Sequence, residues 1–172
     1  MKAVTLVPLE EYLRTSYRPD RDYVDGEVLD RNVGERDHAR LQREILFFFR
    51  MHMHALGVHV FPEQRIQGAA NRFRVPDICV VAGPEPDEQI FHQPPLICIE
   101  ILSQNDSLER MQERIDDYLS FGVRYVWVIN PRTQRAWQYT PNGSVEIKDG
   151  LLRTENPAIQ LPLADMFPPS QN

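Results

Sequence analysis

The stretch Leu96-Ile97-Cys98-Ile99-Glu100-Ile101-Leu102 is apolar at every position except Glu100. An apolar run of this length, without polar alternation, is typical of a central strand that is covered on both faces. A carboxylate in such a strand costs several kcal/mol if it is buried without a partner. Glu100 therefore predicts either a buried ion pair or a metal site in the middle of a sheet.

A second carboxylate has a similar setting earlier in the chain. Asp77 lies in the run Val75-Pro76-Asp77-Ile78-Cys79-Val80-Val81, where the proline indicates a strand edge or a bulge. Mg²⁺ is usually bound by one or two protein carboxylates, and water and phosphate oxygens complete its shell. Asp77 and Glu100 are therefore either metal ligands on neighbouring strands or partners of buried arginines, and their spacing alone leaves both open.

Helices and further strands are predicted on both sides of these two runs. In chain order we expect a short helix at 8–13, a hairpin at 23–29 turning at Asp25-Gly26, and a long helix at 37–56. Strands follow at 58–66, 73–81 and 96–102, and then a helix that is capped by Asp106 with Glu109 and stops at Gly122. The last elements are strands at 125–129 and 135–139 and a weak strand after Asn142-Gly143. This order predicts an α/β (α+β) fold with a mixed central sheet flanked by helices. We interpret residues 1–172 as a single domain with a proline-rich tail from about 162.

The composition narrows the class of protein. A chain of 172 residues is long enough for one domain to bury a core without disulfides. No apolar run approaches the roughly 20 residues that span a bilayer, and the first residues lack the pattern of a signal peptide. Cys79 and Cys98 lie inside apolar runs and predict buried thiols. We therefore expect a cytoplasmic protein that has no membrane partner.

The charges constrain any contact with nucleic acid. The formal net charge is −6, and Lys2 and Lys148 are the only lysines among 19 basic residues. The overall electrostatic field of an acidic chain does not attract DNA, so DNA binding would depend on a local group of arginines. One such group surrounds the start of the long helix and provides either phosphate contacts or solvated helix charges: Arg31, Arg36, Arg40 and Arg43.

Several segments occur in an order that is typical of a known family. They are Tyr23-Val24-Asp25-Gly26-Glu27, His38 at the start of a long helix, Pro76-Asp77-Ile78, Glu100-Ile101-Leu102-Ser103, and Tyr118 with Gly122 before Trp127-Val128-Ile129-Asn130-Pro131. Over roughly residues 9–139 the chain resembles the Uma-two family of the PD-(D/E)XK nuclease superfamily. The resemblance implies a restriction-endonuclease-like fold and hydrolysis of DNA with Mg²⁺ or Mn²⁺. Cleavage of two strands is simplest with two copies of one site, which makes a homodimer an expectation.

The resemblance also implies roles for individual residues. It makes Asp77 and Glu100 the metal ligands and Glu27 a third acidic residue of the site, although Glu27 could equally be an exposed strand carboxylate. His38 is either a site residue or a hydrogen-bonded core histidine. Gln64 either lines the site or is a plain surface residue.

One position departs from the family pattern. The superfamily has a lysine two residues after the strand glutamate, where this chain has Leu102, and the Uma-two family has it in the next helix, where this chain has Arg114. Arginine stays protonated and cannot be a general base, but its fork suits a charged phosphate oxygen. The resemblance therefore implies a metal-activated water as nucleophile, with Arg114 stabilising negative charge. Two alternatives stay open: an ion pair of Arg114 within its own helix, and a weakened nuclease fold that acts as a binding or regulatory module.

Overall fold

The computed structural model describes residues 5–32, 35–167 and 169. Lys2 and the last part of the predicted tail, Pro168 and residues 170–172, lie outside the described residues. The elements in chain order are α1 (Leu9–Arg14), β1 (Asp22–Val24), β2 (Glu27–Leu29), α2 (Arg36–Leu56), β3 (Val58–Pro62), β4 (Ile66–Ala69), β5 (Arg72–Arg74), β6 (Ile78–Ala82), β7 (Ile97–Ile101), α3 (Leu108–Phe121), β8 (Tyr125–Asn130), β9 (Arg135–Thr140), β10 (Gly143–Glu146), β11 (Leu151–Thr154), β12 (Ile159–Pro162) and α4 (Leu163–Met166).

The strand that contains Glu100 lies inside the largest sheet. This sheet has six strands in the order β10-β9-β8-β7-β6-β3. β7 and β8 are parallel and are joined through α3, whereas the other neighbouring strands are antiparallel. All five residues of β7 are buried. The predicted mixed sheet with a fully covered central strand is therefore confirmed.

The two long helices cover opposite faces of this sheet. Side chains alternate along β7, so that Ile97, Ile99 and Ile101 pack in the core cluster under α2, and Cys98 packs in the cluster under α3. Cys79 pairs with Cys98 across β6 and β7, and both are buried free thiols, as predicted. By the same alternation Glu100 faces α3.

The helix ends follow local backbone chemistry. α2 ends at Gly57 and α3 at Gly122, with φ angles of 64° and 109°, a left-handed conformation that glycine adopts without steric cost. The start of α3 differs from the prediction by one residue, because Ser107 is its N-cap and accepts from the Arg110 amide. Asp106 instead accepts from the Ser103 amide at 2.6 Å. No helix in the described ranges is long and apolar enough to cross a membrane.

A second sheet has four strands, all from the N-terminal half of the chain, in the order β2-β1-β5-β4. The hairpin of β1 and β2 turns at Asp25-Gly26 as predicted, and both residues have positive φ angles. The single strands predicted at 58–66 and 73–81 are wrong, because each run divides between the two sheets. Proline cannot donate to a strand ladder, and Pro76 stands between β5 and β6. Asp77 therefore lies where the chain passes from one sheet to the other.

The predicted tail from about 162 is wrong for its first residues. β11 and β12 form a hairpin that reaches Pro162, and α4 follows it directly. Leu163 and Met166 are buried in the core cluster that also contains Leu41 of α2. The prolines suggested a tail, but the apolar residues between them pack under α2.

Candidate active site

Asp77 and Glu100 meet across two neighbouring strands. Ile78 of β6 is opposite Ile99 of β7, so the next pair outward places Asp77 opposite Glu100. Asp77 is 4% exposed and Glu100 is 1% exposed. The Ile101 amide donates to Asp77 Oδ2 at 2.7 Å, which fixes the Asp77 carboxylate against β7. The structure therefore brings together the two carboxylates that the sequence singled out.

Arg31 and His38 hold Asp77. Arg31 Nη2 donates to Asp77 Oδ1 at 2.6 Å, and His38 Nε2 lies 3.2 Å from Oδ2. Burial alone would raise the pKa of Asp77, but the His38 hydrogen bond and the Arg31 charge hold that pKa below its ordinary value. Burial opposes charge on His38 as well, yet the hydrogen bond to Asp77 raises the pKa of the imidazole above its ordinary value. His38 is therefore buried and contacts the acidic pair at the same time.

Glu100 is held by α3. Arg114 Nη1 donates to Glu100 Oε2 at 2.9 Å, and the Tyr118 hydroxyl donates to Oε1. The two donors are four residues apart and so lie on one face of the helix. Burial raises the pKa of Glu100 to about 7 although the Arg114 charge lowers it. An ion pair of Arg114 within its own helix is wrong, because Arg114 pairs with Glu100 and Asp22.

Asp22 is a third buried carboxylate that the sequence analysis missed. It is 0% exposed, and its Oδ2 lies 2.9 Å from Arg74 Nη1 and 3.3 Å from Arg114 Nε. Its Oδ1 accepts from the Val75 amide at 2.9 Å. In the sequence Asp22 ends a polar stretch, 15–22, that resembles a solvated loop. No local pattern marks it, because its burial depends on the pairing of β1 with β5.

The acidic pair has the donor chemistry of a magnesium or manganese site. Carboxylate oxygens are the hard ligands these ions prefer. An ionised carboxylate offers about four lone-pair positions; Asp77 uses three of them, for Arg31, His38 and the Ile101 amide, and Glu100 uses two. One free position on each carboxylate is enough for a metal that has two protein ligands.

The predicted third ligand is not brought to this pair. Glu27 lies in β2 opposite Val24 and is half-buried. Within residues 5–32 and 35–167, no three His, Cys, Asp or Glu side chains are grouped to hold a metal ion. The predicted set of Asp77, Glu100 and Glu27 is therefore not assembled.

The structure separates the four arginines that were grouped by sequence. Arg31 is buried on Asp77, whereas Arg36 and Arg43 are exposed on α2 and each pairs with the acidic residue that follows it. Arg40 lines a cavity of about 260 Å³ at the start of α2. Three of the four therefore lie on or near the surface, whereas Arg31 is enclosed against Asp77 in the metal-free arrangement.

Gln64 takes no part in the acidic site. Its side-chain amide donates to the carbonyls of Arg65 and Gln89, both at 2.9 Å. In the described part of the chain it makes no hydrogen bond to Asp22, Asp77 or Glu100.

A polar cavity lies beside the acidic site, and Arg114 forms part of its wall. Its volume is about 260 Å³, and Arg114 belongs both to its wall and to the buried cluster. A ligand in this cavity would meet the guanidinium groups of Arg110 and Arg114 before it reached Glu100. The lining residues are Asp30, Asn32, Asn105, Asp106, Ser107, Arg110, Met111 and Arg114.

We expect the stability of the metal-free protein to fall between about pH 4.5 and pH 7, because the pKa of Glu100 rises from 4.5 to about 7 on folding. The folded state then holds a proton that the unfolded state releases, so this stabilisation is complete below pH 4.5 and is lost as the pH rises through 7. In Glu100→Gln the fall across this window should be smaller by on the order of 3 kcal/mol.

Urea unfolding with EDTA at a series of pH values measures this slope. The control is Glu109→Gln, which removes an exposed glutamate from the first turn of α3 and should leave the slope unchanged. Equal slopes for Glu100→Gln and wild type would contradict the expectation.

Comparisons with known proteins identify a family and a similar fold. A family model described as "Uma2: Putative restriction endonuclease" matches residues 9–167. A crystal structure described as "a putative nuclease belonging to DUF820" from Anabaena variabilis ATCC 29413 is 23% identical, with a TM-score of 0.82, and the match covers 94% of this chain and 97% of that chain. No curated protein matches the chain. The structural likeness establishes the fold, and the family match agrees with the expected restriction-endonuclease-like class.

Proposed function

Because the chain belongs to the Uma2 family, we propose that it is a metal-dependent DNA endonuclease in which Asp77 and Glu100 hold Mg²⁺ or Mn²⁺. The observation that supports this most directly is the pair of buried carboxylates facing each other from adjacent strands. A buried carboxylate pair is costly for stability, which favours a functional reason for keeping it. We propose that a phosphodiester approaches this pair from the polar cavity that Arg114 lines.

Each side chain of the site has a distinct part in the proposed reaction. The metal, when bound, would supply a water of lowered pKa and positive charge for the phosphate. The Ile101 amide and His38 orient the Asp77 carboxylate, and the Tyr118 hydroxyl orients Glu100. Burial raises the pKa of Tyr118, so that its hydroxyl stays protonated and continues to donate.

Arg114 is proposed to bind the phosphate rather than to accept a proton. Its guanidinium spans Glu100 and Asp22 and remains 15% exposed toward the cavity. Arginine is always protonated and donates from a planar fork. It can therefore neutralise charge on a phosphate oxygen, and the proton of the attacking water must leave by another group.

DNA is proposed to contact exposed arginines of the two long helices. Arg36 and Arg43 on α2 and Arg110 on α3 are exposed, and phosphate contacts by arginine position a protein on DNA without reading sequence. Cleavage of both strands would require two sites, and we propose a homodimer for that case. Two buried free cysteines agree with the cytoplasmic location expected from sequence.

A second candidate is a DNA-binding module with the same fold. Every oxygen of Asp77 and Glu100 already accepts a hydrogen bond, and two of the donors, Arg31 and Arg114, carry full positive charges. These charges oppose the binding of a metal cation. A member of this kind would retain DNA binding and lack cleavage.

Cleavage of supercoiled plasmid distinguishes the two candidates. We expect wild type to nick the plasmid with Mg²⁺ or Mn²⁺ and not with EDTA. Arg114→Met should lower the rate by about 10- to 100-fold, because a hydrogen bond to a charged group is worth about 1.5–3 kcal/mol. Arg114→Lys should retain more activity than Arg114→Met, because lysine keeps the charge but loses the fork. A gel shift with no divalent-dependent cleavage by wild type would instead favour the binding module.

A further inference from the structure

Arg31 is a buried cation whose hydrogen-bonding capacity is mostly unused. Its side chain is 1% exposed, and its Nη2 lies 2.6 Å from Asp77 Oδ1. The described residues give no hydrogen-bond acceptor to its Nε or Nη1. An arginine has five N–H donors, and Nε and both hydrogens of Nη1 account for three of them. Buried donors of this kind are unfavourable unless an acceptor reaches them.

Arg31 occupies the oxygen that a metal would use. Asp77 Oδ2 already accepts from the Ile101 amide and lies beside His38 Nε2, whereas Oδ1 has Arg31 as its partner. The free lone pair of Asp77 is therefore on Oδ1. A divalent ion held by this oxygen would lie beside the Arg31 guanidinium, which donates to the same atom. Two cations at that separation repel each other strongly in a buried site.

Arg114 differs from Arg31 in one respect. Arg114 has Asp22 as a second carboxylate partner, so it keeps an ion pair when its contact with Glu100 loosens. In the described ranges the carboxylate that pairs with Arg31 is Asp77 alone. Displacement by a metal therefore leaves Arg31 in need of another anion.

We propose that Arg31 competes with the metal for Asp77 and couples metal binding to phosphate binding. This rests on the proposed function, since it assumes the metal site at Asp77 and Glu100. In the metal-free protein Arg31 neutralises Asp77. When the metal binds, Arg31 turns its donors to an anionic phosphodiester oxygen, and a bound phosphodiester in turn draws Arg31 away from Asp77.

Charge balance gives this coupling its direction. Asp77, Glu100 and Asp22 already pair with the guanidinium groups of Arg31, Arg114 and Arg74, and Asp117 also pairs with Arg74. A divalent ion therefore adds positive charge to carboxylates that already have cationic partners, and an anion compensates part of it. Metal and phosphate bind with positive cooperativity, and the coupling is reciprocal.

Mn²⁺ binding to the EDTA-stripped full chain, measured by the electron paramagnetic resonance signal of free Mn²⁺, tests the proposal without reference to activity. Arg31→Met should bind Mn²⁺ about 5- to 150-fold more tightly than wild type. Arg50→Met removes the same charge from the exposed face of α2 and should bind as wild type does. Sulfate, a tetrahedral anion in place of the phosphodiester, should tighten Mn²⁺ binding to wild type and not to Arg31→Met.

The outcomes separate this proposal from the proposed function. Equal Mn²⁺ affinity of wild type and Arg31→Met, with loss of binding in Asp77→Asn, overturns the role of Arg31 and leaves the metal site standing. Mn²⁺ binding that survives Asp77→Asn in both backgrounds overturns the metal site itself. If circular dichroism shows that Arg31→Met is unfolded, the sulfate experiment on wild type decides, and the absence of a sulfate effect overturns the coupling.

Discussion

Asp77→Asn is expected to lower metal-dependent DNA cleavage by about 10²- to 10⁴-fold. The substitution keeps the shape of the side chain but removes the negative charge that a metal would share with Arg31 and His38. A metal supplies several kcal/mol of charge stabilisation, and each 1.36 kcal/mol is tenfold in rate. The amide also replaces one acceptor oxygen by a donor, which would face either the Ile101 amide or Arg31 Nη2.

The rate of plasmid nicking at saturating enzyme and Mn²⁺ measures this loss. The matched control is Asp87→Asn, which removes one charge from an exposed position in the loop between β6 and β7 and should cleave as wild type does. Asp77→Asn must also be shown to be folded, by its urea midpoint, because the substitution weakens a buried ion pair. A folded Asp77→Asn that cleaves at the wild-type rate would remove Asp77 from the metal site.

The acidic pair was predictable because a charged side chain is rarely found inside an apolar strand. A carboxylate inside an apolar strand has few explanations, so Glu100 and Asp77 stand out without any structure. Arg114 followed from the resemblance and a helix position. The sequence left the partners of these carboxylates open, and the structure shows that Arg31 binds Asp77 and Arg114 binds Glu100.

The missed parts of the site depend on long-range pairing. Asp22 is buried because β1 pairs with β5, with Tyr23 opposite Phe73, and no periodicity near residue 22 reveals a partner fifty residues away. Arg31 was grouped with the arginines of the long helix, but α2 begins only at Arg36. Arg31 therefore does not share the exposed face of that helix, and its side chain points inward to Asp77.

The sequence pattern did not predict that the strands divide between two sheets, and the reason is related. Residues 58–66 have strand-forming residues on both sides of Pro62, and the chain leaves the central sheet after Pro62 and re-enters a sheet at Ile66. Propensity describes each residue separately, whereas the sheet to which a strand belongs is decided by its neighbours. This division places Asp22 and Asp77, from different sheets, in the same buried cluster.

Asp22→Ala is expected to lower the free energy of unfolding by about 3–5 kcal/mol, the usual cost of removing one partner of a buried ion pair. The variant leaves Arg74 and Arg114 with one carboxylate partner fewer each, and it leaves the Val75 amide without its acceptor. Arg114 is expected to keep its contact with Glu100, and Arg74 its contact with Asp117. The loss should therefore come from the weaker compensation of both guanidinium groups and from the unpaired Val75 amide.

Urea unfolding measures this cost by comparing Asp22→Ala with Asp30→Ala. Asp22 begins β1, and Asp30 directly follows β2 of the same hairpin. Asp30 pairs with Arg21 at 2.9 Å, but its side chain is 78% exposed, so Asp30→Ala should cost no more than about 1 kcal/mol. An Asp22→Ala variant as stable as Asp30→Ala would mean that solvent reaches Asp22 in solution. The buried cluster would then be an open acidic site, and the balance of charges that holds Arg31 on Asp77 would no longer apply.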